Sequence, residues 1–482
     1  MLGGFLFAGR EGPSQECLRA RADRQKNFDF TPQFSPNPFT KEAKYCIIIL
    51  GLFGIPIMPD IREDTMVRHY DLIVAGGGLT GVAAAVSAAR EGLRVLLIEK
   101  GGCLGGAMSH ALVYPFMKHA MFTPEGKLRL LSAGIFAEMC NRHKDMGGTA
   151  GGAWQNEIFK IMLDDMTREA GVSVLFHTLI LGATVDGRRL TAVQAVGKGG
   201  VTEYTADFFV DATGDGDLMA YAGCDYRLGR ESDGLCQPMT TCFRMGGVDL
   251  QKFHEEKPTL LEQYKALQAS GEIRNTRENI LTFTGLGKDI LHLNTTRVVR
   301  HNPVDPVDLS AAEMEARRQV MEMYNFLRTH SEACRDAFIV SVASEIGVRE
   351  SRKLKGVHVL TGEELRACVA FPDSIALGNY EIDIHNPEGS GTYLYYFKPE
   401  EYFSIPYRAL LPKETDNLLV AGRCLSADHE AHSAVRIMPI CATLGEAAGV
   451  AAAVARQTGT NAHTVDIGLV QTKLTDKGAA IR

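Results

Sequence analysis

A strand, a glycine-rich turn and a helix follow one another between Asp71 and Lys100, in the stretch DLIVAGGGLTGVAAAVSAAREGLRVLLIEK. The apolar run before the glycines is typical of a buried parallel strand, and the alanine-rich segment 80–91 is typical of a helix. A second apolar run, 94–98, predicts the next strand, with Glu99 at its end. This order predicts a βαβ unit that starts a parallel α/β sheet.

The glycines in this turn have separate physical roles. Gly76 permits the tight turn, Gly78 lets the backbone approach a pyrophosphate, and Gly81 lets the helix pack closely on the strand. The N-terminus of the helix presents free N–H groups and about half a positive charge to the phosphates. Glu99 lies where a carboxylate accepts the ribose hydroxyls. The turn therefore predicts a dinucleotide site, either for a nicotinamide or for a flavin.

Several later stretches decide between these cofactors by resemblance. They read GGCLGGAMS, DATGDGDLMAYAG, IGVRESRKLKGVHVLTGEEL, FSIPYRALLP and NLLVAGRCLSADHEAHSAVRIMPICATLGEAAGVAAA. With the glycine turn, they resemble the FAD-dependent oxidoreductases related to the flavoprotein module of heterodisulfide reductase A and, more distantly, fumarate-reductase-like flavoproteins. The resemblance covers residues 70–482. It implies non-covalently bound FAD, held by a Rossmann-like α/β domain with a parallel sheet, helices and a β-meander, into which an α+β substrate domain is inserted.

FAD is longer than the glycine turn alone can hold, so distant parts of the chain must contribute to its site. Gly422 and Arg423 end a late strand, where an N–H group and a guanidinium could meet pyrophosphate or ribityl oxygens. A helix starting near Pro439 would direct its positive end at the flavin. For Gly445 and Gly449, close helix packing is the competing interpretation. The residues expected to bind FAD are Gly76, Gly78, Thr80, Gly81, Glu99, Lys100, Gly105, Gly106, Ala107, Ser109, Leu179, Thr213, Gly214, Gly422, Arg423, Gly445 and Ala448.

Candidate catalytic residues lie in two stretches near the C-terminus. His385 stands in a turn-rich segment with several tyrosines, and His429 and His432 follow the predicted FAD-binding strand. One of them could take a proton while a hydride leaves a substrate carbon for flavin N5, although a structural histidine is an equally good interpretation of each. No third ligand accompanies the histidine pair, so no metal is predicted. Arg436 completes the predicted catalytic set.

Arginines within the family-like motifs have two interpretations. Their guanidinium groups could bind a substrate carboxylate bidentately, or they could form structural ion pairs with nearby glutamates. The arginines are Arg349, Arg352, Arg408 and Arg436, and the candidate partners are Glu345, Glu350 and Glu446. Cys103, in the loop after Glu99, is more simply a small residue than a reactive thiol.

Polarity and hydrophobic periodicity divide the chain into four parts. Residues 66–224 and 401–482 form the two parts of the FAD-binding domain, and residues 225–400 form the inserted substrate domain. Residues 1–65 do not conform to either pattern, and their apolar run, 46–58, is too short and too interrupted by glycine and proline to span a membrane. A chain that begins at Met66 is therefore expected to fold and bind its cofactor.

Two capping boxes are predicted within the inserted domain. Ser310 and Glu313 predict the start of a helix over residues 311–329, and Thr361 and Glu364 predict the start of another. Two β-rich runs on either side of Asp186-Gly187 predict a hairpin in the first part of the FAD-binding domain.

Charge and cysteine usage exclude several classes of function. The net charge of −7 argues against nucleic-acid binding. The 11 cysteines include no CxxC pair, which argues for reduced thiols in the cytoplasm and against an iron–sulfur cluster or zinc site. No second dinucleotide fingerprint is present, so we expect electrons to enter from a small-molecule substrate or a protein and to leave to another carrier, such as a redox protein, or to oxygen. A subunit for electron transfer, a flavin sensor and an NAD(P)-dependent dehydrogenase remain alternatives.

Overall fold

The computed structural model describes residues 69–150 and 153–482, and residues 67–482 form one compact unit. The predicted extension at 1–65, with its apolar run, lies outside the described residues. The helices are α1 Leu79–Arg90, α2 Ile135–Asp145, α3 Asn156–Glu169, α4 Asp217–Tyr221, α5 Leu250–Ser270, α6 Pro306–His330, α7 Gly362–Arg366, α8 His429–Val435, α9 Met438–Thr458 and α10 Ile467–Asp476. Short 3₁₀ turns cover Gly106–Met108, Tyr407–Leu410 and Gly422–Cys424.

The strands are mostly short. They are β1 His69–Ala75, β2 Val95–Ile98, β3 Ala120–Phe122, β4 Leu128–Leu130, β5 Thr149–Ala150, β6 Ala153–Trp154, β7 Ser173–Leu175, β8 Leu179–Asp186, β9 Arg189–Gly197, β10 Gly200–Asp211, β11 Tyr226–Leu228, β12 Phe243–Gly246, β13 Thr282–Phe283, β14 Leu291–Leu293, β15 Phe338–Val342, β16 Arg352–Leu354, β17 Ser374–Gly378, β18 Ile382–His385, β19 Thr392–Tyr395, β20 Phe403–Pro406 and β21 Leu418–Val420.

A seven-stranded sheet carries the predicted βαβ unit. Its order is β7-β2-β1-β10-β9-β8, and β21 pairs with β10. The pairs that β1 makes with β2 and with β10 are parallel, as are β2 with β7 and β10 with β21. The β8–β9–β10 meander is antiparallel, and its first turn lies at the predicted Asp186-Gly187 hairpin. The expected α/β fold with a parallel sheet and a β-meander is confirmed, and the late strand β21 joins the sheet that the N-terminal part begins.

Helices α1 and α9 pack against each other beside this sheet, closer than ordinary side chains allow. A Cβ atom on Gly445 would lie 2.0 Å from the carbonyl oxygen of Thr80, and one on Gly449 would lie 2.2 Å from that of Ala84. Helix α9 is long and apolar enough to span a membrane, yet 94% of its apolar window is buried inside the protein. Core packing therefore accounts for its composition.

A second, smaller core lies in the region predicted as the inserted domain. Strands β12 to β15 form a four-stranded antiparallel sheet in the order β13-β14-β12-β15. Helices α5 and α6 contribute Tyr264 and Phe326 to the core of this sheet, and the two rings pack edge to face with centroids 5.5 Å apart. The domain boundaries at 225 and 400 stay a prediction, because residues 67–482 form a single unit.

The two predicted capping boxes have different outcomes. Thr361 accepts a hydrogen bond from Glu364 N while the Glu364 carboxylate accepts one from Thr361 N, so this box is confirmed. The box at Ser310 is wrong, because α6 begins five residues before the predicted start and Asp305 caps it by accepting from Val307 N and Asp308 N. Pro306 at the first helical position explains the earlier start, because its fixed φ suits a helix and it has no N–H group to satisfy.

Candidate functional site

The glycine turn between β1 and α1 is shaped as a cradle for phosphate. Gly76 has φ of +94°, and a Cβ atom there would lie 2.5 Å from Ala212 O. Among the described residues, no side chain caps α1. A Cβ atom on Gly78 would make only an ordinary van der Waals contact, with Gly106 Cα at 3.8 Å. The N-terminus of α1 can therefore receive an anion at its N–H groups.

Glu99, at the end of β2, is buried beside this turn. One of its oxygens accepts a hydrogen bond from Gly77 N at 2.6 Å, and the other accepts from Gly101 N at 2.6 Å. His110 Nε2 lies 4.0 Å from the same carboxylate. These contacts fix the carboxylate at the strand end, where the sequence predicts that it accepts ribose hydroxyls.

The loop from Gly105 to Ser109 lies directly against the glycine turn. Gly105 N donates to Gly77 O at 2.9 Å, and Gly78 and Gly105 form a parallel bridge. Gly106 has φ of +54°, and a Cβ atom there would come within 2.9 Å of Gly78 Cα. Ser109 Oγ donates to Leu104 O at 2.6 Å, which closes the loop, and Ala107 is exposed on it. The two glycine segments thus lie side by side, and together with the start of α1 they are called the candidate cofactor groove below.

Gly422 brings the distant C-terminal motif to the same place. It begins a 3₁₀ turn after β21 with φ of +82°, and a Cβ atom on it would lie 2.6 Å from Thr80 Oγ1. The side chain of Arg423 reaches away to Asp215, with Nη2 2.8 Å from Oδ1. Gly422 and the glycine turn therefore meet, although more than 300 residues separate them.

The remaining predicted cofactor residues surround the candidate cofactor groove at different distances. Thr213 Oγ1 donates to the buried carboxylate of Asp211 at 2.7 Å, and this contact shapes the turn that contains Gly214. Leu179 starts β8 just after Thr178, whose N–H donates to Glu99 O at 3.1 Å. Lys100 pairs with Glu345 on the surface, with Nζ and the carboxylate 3.0 Å apart. Binding of the cofactor by each of these residues stays a prediction.

Gly445 and Ala448 are fully buried in α9. Gly445 contacts the backbone of Thr80, so close packing between α1 and α9 explains this glycine on its own. The packing still serves the site, because it holds the N-terminal ends of both helices beside the groove. Direct contact of either residue with a cofactor stays a prediction.

His429 and His432, both on α8, have different environments. His429 Nδ1 lies 2.9 Å from the Glu350 carboxylate. Burial alone would raise the pKa of Glu350, but the hydrogen bond from His429 and the charge of Lys353 hold that pKa well below its usual range. His432 Nε2 donates to Arg423 O at 3.0 Å, and burial holds its pKa well below 6.5. His432 therefore supports the turn after β21 as a neutral ring.

His385 uses both of its ring nitrogens within the protein. Nδ1 accepts from Arg297 Nη2 at 3.0 Å, and Nε2 lies 3.3 Å from Asp383 Oδ2. Burial and the charge of Arg349 lower the pKa of His385 to about 3, despite the nearby Asp383. Arg436, one residue before the N-cap of α9, donates from Nη2 to Gln237 Oε1 at 3.2 Å and lies 3.9 Å from Asp383. His385 and Arg436 are thus joined through Asp383.

Most of the family-motif arginines form ion pairs, but with partners other than the expected glutamates. Arg352 pairs with Asp217 at 2.8 Å, and Arg408 pairs with Asp373 at 2.9 Å. Arg349 instead contacts only neutral acceptors among the described residues, the Pro238 carbonyl and the Thr240 hydroxyl. The ion-pair interpretation with Glu345, Glu350 and Glu446 is therefore wrong in its partners.

The loop thiol of Cys103 is half-buried, and burial raises its pKa, so it is less reactive than an ordinary thiol. Within residues 69–150 and 153–482, no group of three or more His, Cys, Asp or Glu side chains is arranged to hold a metal ion.

Comparison with known proteins identifies the family. The family model described as FAD dependent oxidoreductase matches residues 71–474. The chain belongs to this family. The matched residues run from the glycine turn through the motif at Gly422 to α10, so they include both glycine segments that meet at the start of α1. FAD is thereby supported as the cofactor, and the geometry fits it: α1 begins without a side-chain cap, the Glu99 carboxylate lies beside the glycine turn, and close backbone approaches there require glycine.

Individual relatives of this FAD-dependent oxidoreductase are distant. Digeranylgeranylglycerophospholipid reductase 1 of Methanococcoides burtonii is 24% identical over 39% of this chain and 47% of its own length. The digeranylgeranylglycerophospholipid reductase of Methanocella arvoryzae is 30% identical over 31% of this chain and 40% of its own length. The chain thus matches less than half the length of these curated relatives. A geranylgeranyl bacteriochlorophyll reductase-like protein of Thermoplasma acidophilum superposes with a TM-score of 0.42 at 14% identity, over 85% of this chain and 84% of that one.

Sequence reasoning missed the residues that surround His385 and Arg436. Asp383, Gln237, Arg277 and Arg297 come from separate parts of the chain and carry no motif. Only the alternation of His385 and Asp383 on the short strand β18 could have indicated that they share one face.

Proposed function

We propose that this FAD-dependent oxidoreductase transfers a hydride between a carbon of a small organic substrate and N5 of non-covalently bound FAD. One observation carries the proposal: the glycine turn at Gly76–Gly81, the loop at Gly105–Gly106 and Gly422 meet at the N-terminus of α1. Bound there, FAD supplies the two-electron acceptor that the protein side chains lack. The chain supplies binding, orientation and the proton.

The groove residues have assigned tasks. The N–H groups at the start of α1 bind the pyrophosphate, and Glu99 accepts hydrogen bonds from the ribose hydroxyls. The uncapped N-terminus of α9, held against α1 by Gly445, would supply a positive potential to a flavin ring bound beside it. We therefore propose that the substrate binds beside the start of α9.

His429 is the proposed proton carrier. Glu350 fixes its Nδ1 at 2.9 Å, so the ring is oriented and Nε2 faces the opposite way. A histidine oriented by a carboxylate is a common arrangement for general acid–base catalysis. His385, with both nitrogens engaged and a pKa of about 3, is a positioning residue for Arg297 and Asp383 rather than a base at neutral pH.

Anaerobic titration tests this proposal. The purified protein is expected to show the visible flavin spectrum. One member of a panel of hydroxy acids, amines, polyols and sugars should bleach this spectrum, with one substrate molecule oxidised for each flavin reduced. Bleaching by reduced ferredoxin and by no metabolite would instead favour an electron-transfer role resembling that of heterodisulfide reductase A. A flavin that no donor reduces would indicate a sensor. We also propose that the enzyme is cytoplasmic and passes its electrons to a redox protein.

A further inference from the structure

Four guanidinium groups, two of them buried and two partly buried, lie close enough near the start of α9 to affect one another's charge. They belong to Arg277, Arg297, Arg349 and Arg436. Arg277 is 4% exposed and Arg297 is 1% exposed. Burial and the charges of Arg277 and Arg436 lower the pKa of Arg349 to about 9, which leaves it protonated at neutral pH. Such a concentration of like charge in a protein interior is unfavourable unless it is compensated.

The compensation within the protein is incomplete. Arg297 pairs with Glu278 at 3.2 Å, and Arg436 lies 3.9 Å from Asp383. Across residues 69–150 and 153–482, Arg277 and Arg349 have no carboxylate within 4.0 Å. The ring of His385 is neutral at neutral pH, because its pKa is lowered to about 3, so it neither adds to nor offsets the positive charge. Two guanidinium charges therefore lack a partner in the part of the chain that the structure describes.

Several donors in this cluster are also unused. Arg277 Nη1, Arg297 Nε and Arg436 Nε are buried and have no hydrogen-bond partner among the described residues, and the same holds for Gln237 Nε2. Buried donors of this kind are normally paired, so each requires an explanation. Planar guanidinium donors match the paired oxygens of a carboxylate or phosphate.

The cluster also adjoins the proposed flavin groove on two sides. Arg436 stands next to the N-cap of α9. Arg349 reaches the Thr240 hydroxyl, and Thr240 forms a bridge with Gly347. A Cβ atom on Gly347 would contact Ala111, in the segment that follows the Gly105–Ser109 loop, at 3.5 Å. Arg349 and Arg436 therefore connect the segment after the Gly105–Ser109 loop with the start of α9.

We propose that Arg277, Arg297, Arg349 and Arg436 bind a small organic dianion, which is the substrate or carries the substrate carbon to the flavin. This inference rests on the proposed function for the identity of the occupant, but not for the existence of the anion site. A dicarboxylate and a phosphomonoester share the required chemistry, because each supplies two negative charges and several oxygen acceptors.

Thermal unfolding of the FAD-loaded protein tests the site, with malonate and inorganic phosphate as probes at constant ionic strength and malonamide as the neutral control. A saturable rise in Tm is expected for at least one dianion and none for malonamide. The Arg349→Gln variant should lose the rise and, without ligand, unfold at the wild-type temperature or above it, because one repelling charge is gone. Arg168→Gln, on the exposed side of α3, should behave like the wild type.

An equal, non-saturating effect of both anions on the wild type and Arg349→Gln would overturn the proposal, as would the absence of any effect. Should Arg349→Gln fail to fold, Arg349→Lys keeps the charge and removes the planar fork, and its dissociation constant for the dianion should rise at least fivefold. The probe that binds more tightly, malonate or inorganic phosphate, shows whether the site prefers a dicarboxylate or a phosphate.

The visible flavin spectrum distinguishes this proposal from the proposed function. A dianion beside the flavin should perturb the flavin absorption with the same midpoint as the Tm rise. Saturable binding to a protein that holds no flavin would leave the anion site standing and remove the hydride-transfer proposal. Binding to a yellow protein without any perturbation would separate the anion from the flavin and overturn the substrate role.

Discussion

Glu446 gives a quantitative prediction about the packing that holds the cofactor groove together. It lies on α9 beside Gly445, is 2% exposed, and accepts a hydrogen bond from Ile135 N at 3.1 Å, which ties α2 to α9. Burial raises its pKa from 4.5 to about 7. Because the folded pKa is raised, this carboxyl contributes fully to stability below about pH 4.5, and that contribution is lost as the pH rises through 7.

The size of the loss follows from the two pKa values. At about 1.4 kcal/mol per pKa unit, the rise from 4.5 to about 7 corresponds to a total of about 3.5 kcal/mol, most of it between pH 5 and 8.5. Glu446→Gln keeps an oxygen for Ile135 N and cannot ionise. The difference in unfolding free energy, variant minus wild type, should therefore become more favourable to the variant by about 2–3 kcal/mol between pH 5 and pH 8.5.

Urea unfolding of both proteins at pH 5, 7 and 8.5 measures this difference, provided that unfolding is reversible and the m-values agree. Glu262→Gln, at an exposed position on α5, is the matched control and should show no such trend. A difference between Glu446→Gln and the wild type that stays constant over this range would refute the reasoning. So would a difference that favours the wild type more strongly at pH 8.5.

Three further predictions concern the groove, the proton carrier and α6. Gly445→Ala puts a Cβ atom 2.0 Å from Thr80 O, so it should separate α1 from α9, lower the FAD content and cost about 3 kcal/mol, while Gly199→Ala, whose Cβ would meet no described atom within 4 Å, should change neither. His429→Asn should slow flavin reduction by the substrate roughly 100-fold in stopped-flow measurements with FAD content unchanged, and an unchanged rate would remove His429 from the mechanism. Asp305→Ala should destabilise the protein by about 1 kcal/mol in urea unfolding and Ser310→Ala by much less, whereas the reverse order would restore the rejected capping box.

The local parts of the fold were predictable because their signals lie within a few residues of each other. The glycine turn, the hairpin at Gly187 and the capping box at Thr361 each depend on neighbouring residues only, and the structure has all three. The error at Ser310 has the same local origin. A serine with glutamate three residues later occurs inside helices as well, and Asp305 with Pro306 gave the stronger start signal.

The meeting of Gly422 with Thr80 could be expected only from the resemblance to a family, because the two residues are far apart along the chain. The arginine cluster was beyond either kind of reasoning. Arg297 and His385 are 88 residues apart and belong to different sheets or loops, so only the tertiary structure brings their side chains to 3.0 Å. Isolated arginines have no periodicity, and their sequence neighbours at Glu345 and Glu350 suggested partners that they do not have.

Cofactor analysis of the purified chain tests the central claim most directly. The protein should carry a visible flavin spectrum, or acquire it on incubation with FAD, and heat or acid should release about one FAD per chain, identified by chromatography. Gly106→Val, whose Cβ atom would lie 2.9 Å from Gly78 Cα at a φ of +54°, should push the loop away from the glycine turn and abolish that binding while the folded structure persists by circular dichroism. A colourless wild-type protein that takes up no FAD, or a Gly106→Val variant that binds FAD as tightly as the wild type, would contradict the account.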